Sequence, residues 1–311
     1  MSHTQRASNP TLQGTYPFPL SLPVIPGSDA SGTVLAIGPK VTRFRVGDNV
    51  CTHILPTHLD GAFTPQKLQV GLGGSMDGML RSTGVFSEST LVRMPKTLTF
   101  REASTLPCAA LTAWNALMGL PGRPLRRGDY VLTLGSGGVS LFALQIAVAA
   151  GATVVSTTSS AAKADRLKAL GAHHVINYTD DPDWGQTARK LTLEGAGFDF
   201  VIEVGGAGTL KHSVAATKME GILAVVGVVG GAQAEKIQEV PSLLQAWLSC
   251  ITVRGIAVGS RAQLEDLVAF VESTGLKPVV EDRAFGLREV KEAYEFLGGQ
   301  RNFGKIVVDC Q

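Results

Sequence analysis

The sequence predicts an α/β protein with a doubly wound parallel sheet and a second, β-rich domain. An apolar segment, 130–134, runs into a glycine-rich turn, a long apolar helix and a second apolar segment, 153–157. Four more apolar segments follow at the spacing of strands joined by helices, which is typical of a parallel sheet covered on both faces. Before residue 100, glycines instead separate short β-branched segments at close intervals, as in a compact β-barrel. Residues 85–95 predict a returning strand pair in this region, and residues 287–297 predict an amphipathic helix near the C-terminus.

Composition excludes several classes of protein. The 311 residues suffice for one large or two ordinary domains, and 44% hydrophobic content with 17% charge indicates a globular chain. Lys and Arg total 28 against 26 Asp and Glu, which leaves no basic field for nucleic acid. The most apolar window, 139–155, is broken by Gln145 and Gly151 and indicates a core helix and strand rather than a membrane span. We therefore expect neither a nucleic-acid partner nor a membrane span; the motifs further along the chain, rather than the composition, point to a small-molecule substrate.

The cysteines and the first residues bear on the compartment. Cys51, Cys108, Cys250 and Cys310 lie far apart, in no spacing typical of disulfide pairs or metal sites. Residues 1–10 are polar and lack the apolar core of a signal peptide. We expect a cytoplasmic protein with reduced thiols.

The turn after the first apolar segment predicts a phosphate site. Residues 135–140 read Gly-Ser-Gly-Gly-Val-Ser, and an apolar helix follows. Glycines let the backbone turn sharply, and a helix N-terminus offers N–H groups to an anion. Between two strands, this pattern favours a dinucleotide whose pyrophosphate contacts Ser136, Gly137, Gly138 and Val139. Ser140 replaces the usual third Gly or Ala but is small enough for close packing; the alternative is a strand–turn–helix without a ligand.

The end of the second strand suggests which dinucleotide binds. NAD-binding units usually carry an acidic residue about 20 residues past the glycines, where it holds the ribose 2′-hydroxyl. Residues 156–163 contain no Asp or Glu and offer hydroxyls and one cation. This chemistry suits a 2′-phosphate, so Thr158, Ser159 and Lys163 predict NADP rather than NAD.

The rest of this region continues the alternation of strand and helix. A helix over 163–170 ends at Gly171, and further strands are predicted at 173–176, 198–204, 221–228 and 251–256. That makes six strands. Ligands bind at the carboxyl ends of such strands, which nominates Val204, Gly227 and Val228 for the cofactor. The alternative is that each is a plain strand-ending turn.

These features, with residues 26–38, 106–114 and 303–308, resemble the medium-chain dehydrogenase/reductase superfamily. The similarity extends from about residue 16 to the C-terminus and favours the zinc-free, alcohol dehydrogenase-like and quinone oxidoreductase-like branch. It implies a GroES-like domain over 1–118, a Rossmann domain over 119–275 and a return to the first domain over 276–311. It also implies NADP(H) as cofactor, and a homodimer formed through the last strand of the sheet.

The resemblance implies further cofactor contacts. Thr112 would lie near the nicotinamide, and Tyr178 near the adenine ribose phosphate. Asn302, with Lys305, would lie in a final loop near the nicotinamide and phosphates. A helix hydroxyl bonded to its own backbone is the competing interpretation for Thr112, and solvation at the surface is the competing one for Asn302 and Lys305.

Two departures from the resemblance affect function. The zinc-dependent members carry Gly-His-Glu where this chain has Gly-Ser-Asp at 27–29, and Ser28 is a poor zinc ligand. We therefore expect no metal, and we interpret His53, His58 and Asp60 as a polar surface loop. In addition, residues 1–13 replace the first barrel strands. Either the barrel is open on one side, or a partner chain covers it, or the protein has been repurposed.

The functional hypothesis is hydride transfer from NADPH to an enone, a quinone or a carbonyl. The catalytic residue stays unassigned: Tyr16 and Asp29 are candidate proton relays or pocket residues, with a barrel-core or turn role favoured for Asp29. The alternatives are a repurposed isomerase or cyclase with NADP structural or absent, and a non-catalytic binding protein. An assay of NADPH oxidation with enones, quinones and aldehydes separates them.

Overall fold

The computed structural model describes residues 2–3, 20–227, 241–299 and 302–311. The chain divides into two compact units, Met1–Leu111 with Gly259–Gln311, and Thr112–Val258. The sequence predicts boundaries at 118 and 275. In the observed division, residues 112–118 instead belong to the second unit and the helix after Ser260 belongs to the first.

Twelve strands occur in the described residues. They are β1 (Ser2–His3), β2 (Asp29–Thr33), β3 (Asn49–Thr52), β4 (Leu91–Arg93), β5 (Tyr130–Leu134), β6 (Thr153–Thr158), β7 (His174–Asn177), β8 (Phe198–Glu203), β9 (Thr217–Val225), β10 (Thr252–Gly255), β11 (Phe285–Gly286) and β12 (Val307–Asp309).

Ten α-helices accompany them in the same described ranges. They are α1 (Pro65–Leu68), α2 (Phe100–Ala103), α3 (Leu111–Met118), α4 (Gly138–Ala149), α5 (Ala161–Ala169), α6 (Trp184–Lys190), α7 (Ala207–Ala216), α8 (Leu243–Leu248), α9 (Arg261–Thr274) and α10 (Val290–Gly298). A π-helical turn, Leu106–Ala110, leads into α3. No helix in the described part of the chain has the length and apolar character needed to cross a bilayer.

The second unit is built on the predicted six-stranded sheet. Its order is β10-β9-β8-β5-β6-β7, and every pairing is parallel. The order reverses at β5, so the chain winds outward in both directions from the first strand. Leu132, Val155, Val201 and Leu223 form part of the core on this sheet. The predicted doubly wound architecture is confirmed.

The first unit contains a sheet of order β11-β12-β1-β2-β3-β4. β1 pairs antiparallel with both β12 and β2, so strands from distant parts of the chain join one sheet. Phe285, Ala293, Leu297 and Ile306 form a core cluster beside it. The strand pair expected over 85–95 is wrong: a short 3₁₀ helix, Glu88–Thr90, capped by the Ser87 hydroxyl, leads into the single strand β4.

Candidate functional site

The glycine turn connects β5 to α4 at the carboxyl edge of the parallel sheet. Gly135 has φ +72°, a conformation that glycine adopts without strain. Gly137 is the N-cap of α4 and provides no side-chain hydrogen bond to the first turn. A Cβ placed on Gly137 would meet no atom within 4 Å, so there is open space beside this residue at the start of the helix. These features fit a phosphate group, which would accept from the first N–H groups of the helix.

Ser140 explains how the turn tolerates a departure from the usual pattern. The side chain is buried, and its hydroxyl donates to the Leu134 carbonyl at 2.6 Å. The hydroxyl therefore ties the first turn of α4 to the end of β5. This agrees with the expectation that serine is small enough for the helix to pack closely on the strand.

The residues nominated for the 2′-phosphate follow β6. The Gly135 N–H donates to the Thr157 carbonyl at 2.9 Å, which places the glycine turn beside the end of this strand. Ser159 is exposed, and Lys163 lies half-buried in the first turn of α5. The Ser160 hydroxyl caps that helix by accepting from the Lys163 N–H at 3.4 Å.

Tyr178 joins this group through the backbone. Its N–H donates to the carbonyl of Thr158 at 3.1 Å, and its side chain is 42% exposed. Thr158 itself is buried, and its hydroxyl accepts from the Ser160 N–H at 3.2 Å. Hydroxyls, a lysine and an exposed aromatic ring thus follow the ends of two neighbouring strands, β6 and β7.

The ends of β8 and β9 place two more nominated residues side by side. A Cβ on Gly227 would lie 3.8 Å from the Val204 carbonyl oxygen. Val228 lies outside the described residues. Thr112 is buried in the first turn of α3. Asn302 belongs to the first unit, where its amide donates to the Gly304 carbonyl at 2.8 Å.

Sequence reasoning missed Glu203, a fully buried carboxylate at the end of β8. Its Oε1 accepts from the N–H of Gly205 at 2.7 Å, the N–H of Gly206 at 2.9 Å and the Thr209 hydroxyl at 2.6 Å. The Ser213 hydroxyl donates to Oε2. The signal in the sequence was an acidic residue that ends an apolar strand and precedes two glycines and a spaced threonine and serine.

Asp29 in the first unit is also fully buried. The Ser28 hydroxyl donates to its Oδ1 at 2.8 Å. Lys305 is buried too, so surface solvation does not describe this residue. Burial lowers the pKa of the Lys305 ammonium, while the nearby charges of Asp29 and Cys108 act in the opposite direction. Tyr16, the other residue considered as a proton relay, lies outside the described residues.

The interpretation of His53 and His58 as a polar surface loop is wrong, because both imidazoles are buried. The His53 ring is within hydrogen-bond distance of the Gly259 carbonyl, with Nε2 to oxygen at 3.0 Å. Burial lowers the pKa of His53 to about 4. The His58 ring packs edge-on against Phe63, with centroids 4.9 Å apart, and burial lowers its pKa as well.

A zinc ion does not fit the donor set at Ser28. A serine hydroxyl is a poor zinc ligand, and this hydroxyl is engaged with Asp29. Among residues 20–227, 241–299 and the short described ends, no group of three or more His, Cys, Asp or Glu side chains could hold a metal.

Comparison with known proteins agrees with this architecture. The model of the alcohol dehydrogenase GroES-like domain matches residues 5–98, and the model named zinc-binding dehydrogenase matches residues 138–273. A zinc-type alcohol dehydrogenase-like protein of Schizosaccharomyces pombe is 42% identical over 297 residues, which are 95% of this chain and 85% of that protein. The chain belongs to the medium-chain dehydrogenase/reductase superfamily.

Solved structures show how closely this medium-chain dehydrogenase/reductase follows the family fold. A structure from Sinorhizobium meliloti 1021 described as an alcohol dehydrogenase has a TM-score of 0.89 at 42% identity, covering 99% of this chain and 88% of that one. An NAD-dependent alcohol dehydrogenase has a TM-score of 0.84 at 32% identity, with coverage of 99% and 89%.

Other relatives of this medium-chain dehydrogenase/reductase carry the names of reductases. A 2-haloacrylate reductase of Burkholderia sp is 29% identical over 304 residues, 94% of this chain and 84% of the relative. A 2-octenoyl-CoA carboxylase reductase, solved with NADP and 2-octenoyl-CoA, has a TM-score of 0.79 at 28% identity, with coverage of 92% and 68%. The protein is therefore an oxidoreductase of the dehydrogenase/reductase type.

Proposed function

We propose that this protein is a zinc-independent reductase that uses NADPH to reduce an enone, a quinone or a carbonyl compound. The observation that carries the proposal is the open, glycine-capped start of α4 beside a strand end that bears hydroxyls and a lysine where a carboxylate would select NAD. The similar solved structures include both an NAD-dependent enzyme and an NADP complex. The choice of NADP therefore rests on the residues that follow β6 in this chain.

Each part of the cofactor has a proposed set of contacts. Ser136, Gly137, Gly138 and Val139 would hold the pyrophosphate, and Thr158, Ser159, Lys163 and Tyr178 would surround the 2′-phosphate. The remaining proposed contacts, toward the nicotinamide half, are Thr112, Val204, Gly227, Val228 and Asn302. When bound, NADPH supplies the hydride from its nicotinamide ring, so the work of the chain is to bind, orient and exclude water.

The substrate class follows from the donor chemistry at Ser28. Because this position lacks a good zinc ligand, we propose a substrate that accepts hydride without a Lewis acid, as activated alkenes and quinones do. The named activities of the haloacrylate and octenoyl-CoA reductases support the alkene among these options.

The cofactor proposal is tested by fluorescence titration of the purified protein with NADPH and NADH. We expect tighter binding of NADPH. Tighter binding of NADH would overturn the choice of cofactor and leave the fold unaffected.

The reaction is tested by following NADPH absorbance with a panel of enones, quinones and aldehydes. We expect oxidation of NADPH with at least one activated alkene or quinone, with reduced product found by mass spectrometry. Product formed from these compounds without any change in NADPH would instead point to a non-redox isomerase or cyclase.

We further propose a homodimer, formed through the edge strand β10, in a cytoplasmic protein. Among the described strands, β10 forms one end of the parallel sheet. Exposed apolar side chains lie on β10, on the adjacent strand β9 and on α8, the helix that precedes β10: Met219, Leu244, Trp247, Leu248 and Val253. An unpaired edge beside an apolar surface is a feature that soluble chains normally cover. The wide spacing of the cysteines, none of which forms a disulfide, supports the cytoplasm.

A further inference from the structure

The turn after β8 is shaped around one buried carboxylate. Gly205 and Gly206 follow Glu203 directly, and both of their N–H groups donate to Glu203 Oε1. Thr209, in the first turn of α7, donates a third hydrogen bond from its hydroxyl to the same oxygen. The carboxylate thus sits inside the turn that joins β8 to α7, with donors from the turn and from the helix.

The two glycines are required by this arrangement. A Cβ on Gly205 would lie 2.3 Å from the Thr209 hydroxyl oxygen, which leaves no room for any side chain. Gly206 has φ +84° and ψ −148°, a conformation open essentially to glycine alone. The sequence of the turn therefore follows from the wrapping of the backbone around Glu203.

The location of the carboxylate offsets part of the cost of its burial. Glu203 precedes the ten-residue helix α7, whose N-terminal N–H groups and dipole favour a negative charge. Hydrogen bonds to a charged acceptor are shorter and stronger than neutral ones, and this acceptor receives four. The turn is consequently held in one shape by strong, converging bonds.

The shape of this turn is coupled to two proposed cofactor contacts. Val204 lies between Glu203 and Gly205 in the chain. The Val226 N–H donates to the Glu203 carbonyl at 2.8 Å, and Gly227 then lies beside the Val204 carbonyl. Any change in the turn after β8 therefore moves Val204 directly and Gly227 through its neighbour.

We infer that Glu203 is a positioning residue, which fixes the Val204–Gly206 turn in the shape needed to bind the nicotinamide half of the cofactor. The inference rests on the proposed function and adds a residue that touches neither cofactor nor substrate. It acts through the hydrogen-bond geometry of its carboxylate, not through a proton or a charge delivered to the reaction.

Two substitutions separate geometry from charge. In Glu203→Gln, the amide oxygen can accept from the turn, and the amide nitrogen can donate to the Ser213 hydroxyl, which is able to accept. This variant keeps the shape and removes the charge. Glu203→Ala leaves the donors of Gly205, Gly206 and Thr209 without their acceptor in a buried site, so the turn must rearrange.

Ser213→Ala is the matched control. Ser213 is buried in α7 and donates to Oε2 of the same carboxylate, whereas Gly205 and Gly206 of the turn donate to Oε1. Its loss lowers stability without moving Val204. If Glu203 had only a structural role, NADPH affinity would fall in proportion to the melting temperature in every variant, including Ser213→Ala.

The experiment measures the dissociation constant of NADPH by fluorescence and the melting temperature for the full-length wild type and each variant. We expect Glu203→Ala to weaken NADPH binding about tenfold or more, because small displacements in a positioned site have large effects. We expect Glu203→Gln to restore most of the affinity, and Ser213→Ala to lower the melting temperature at unchanged affinity. In turnover assays, KM for NADPH should rise more than kcat falls.

Wild-type affinity in Glu203→Ala, or an affinity loss in Ser213→Ala equal to that of Glu203→Ala, would overturn the inference. If Glu203→Ala does not fold, Thr209→Val replaces it, since valine keeps the shape and removes one bond to the carboxylate. Unchanged NADPH affinity in Thr209→Val would then refute the inference. If the wild type binds neither NADPH nor NADH, the proposed function itself is refuted. If the wild type binds NADPH and the variants bind it with the same affinity, only the role of Glu203 is refuted.

Discussion

In the proposed cofactor site, the choice of NADP over NAD rests on single side chains. Ser159 and Lys163 follow β6 at the position where NAD-binding units place a carboxylate, and Ser159 is exposed. These residues were predicted from spacing alone, because their position relative to the glycine turn is fixed by the chain. The burial of His53 and His58 could not be found in the same way, since it depends on residues distant in sequence, such as Gly259 for His53. Glu203 differs, because its hydrogen-bond donors all lie within residues 205–213 and left a local signal in the sequence.

Replacing Ser159 with Asp should reverse the preference between the two cofactors. The new carboxylate would repel a 2′-phosphate and could accept from a ribose 2′-hydroxyl. We expect the dissociation constant for NADPH to rise about tenfold or more while that for NADH falls or stays unchanged, as measured by fluorescence titration. The same substitution at Ser273, exposed on α9, is the control. Equal effects at both sites would remove Ser159 from the cofactor site.

The buried His53 predicts a loss of stability in mild acid. Its pKa is about 4 in the folded protein, against 6.5 for an unperturbed imidazole. Between pH 6.5 and pH 4, the His53 imidazole is therefore protonated in the unfolded chain but stays neutral in the folded protein. The stabilisation is complete above pH 6.5 and is lost as the pH falls toward 4.

Urea unfolding at pH 7 and pH 5 measures this contribution. Linkage gives a loss of about 2 kcal/mol from His53 over this interval. The variant His53→Gln should show a smaller difference between the two pH values, despite lower stability at pH 7 from the altered contact with Gly259. His174→Gln, at an exposed position, should behave as wild type. A pH dependence identical in wild type and His53→Gln would contradict the assignment.

At the scale of elements, hydrophobic periodicity identified the six strands of the parallel sheet and α4, α5 and α10. These elements were predictable because each buries its own apolar residues in a regular pattern. The region over 85–95 was not, because a serine cap and a 3₁₀ helix replaced the first expected strand. Local hydrogen bonding by serine outweighed the weak strand pattern there.

The exposed apolar surface around β10 predicts the effect of a charge at the proposed dimer interface. Trp247 is 72% exposed in the single chain. We expect Trp247→Arg to shift the protein from dimer to monomer in analytical ultracentrifugation, because a desolvated charge opposes association. Leu35→Arg removes a similarly exposed apolar side chain from the first unit and should leave the dimer intact. A Trp247→Arg dimer as stable as wild type would exclude this surface.

For the whole molecule, the two units differ in how they are assembled from the chain. The second unit is one continuous segment, 112–258, whereas the first joins residues 1–111 to 259–311. Alternation of strand and helix is therefore easy to follow in the second unit. In the first unit, pairings such as β1 with β12 connect the two ends of the chain and leave no local signal.

Metal analysis of the purified protein tests the expected absence of zinc. We expect well below one equivalent per chain after purification without chelators, because the serine at position 28 supplies no good zinc donor. Added EDTA should leave the rate of NADPH oxidation unchanged. Zinc near one equivalent, with activity lost on chelation and regained on addition of zinc, would overturn the zinc-independent proposal.

The sequence by itself determined the parallel sheet, the glycine turn and the residues that follow β6, because the information for each lies within a few residues of the chain. Only the tertiary structure decided the burial of Glu203, His53 and Lys305, and the joining of the two chain ends in one unit. Burial of a polar group depends on which distant segments cover it, and no local pattern records that. This holds even for Glu203, whose hydrogen-bond donors are local but whose full burial is not.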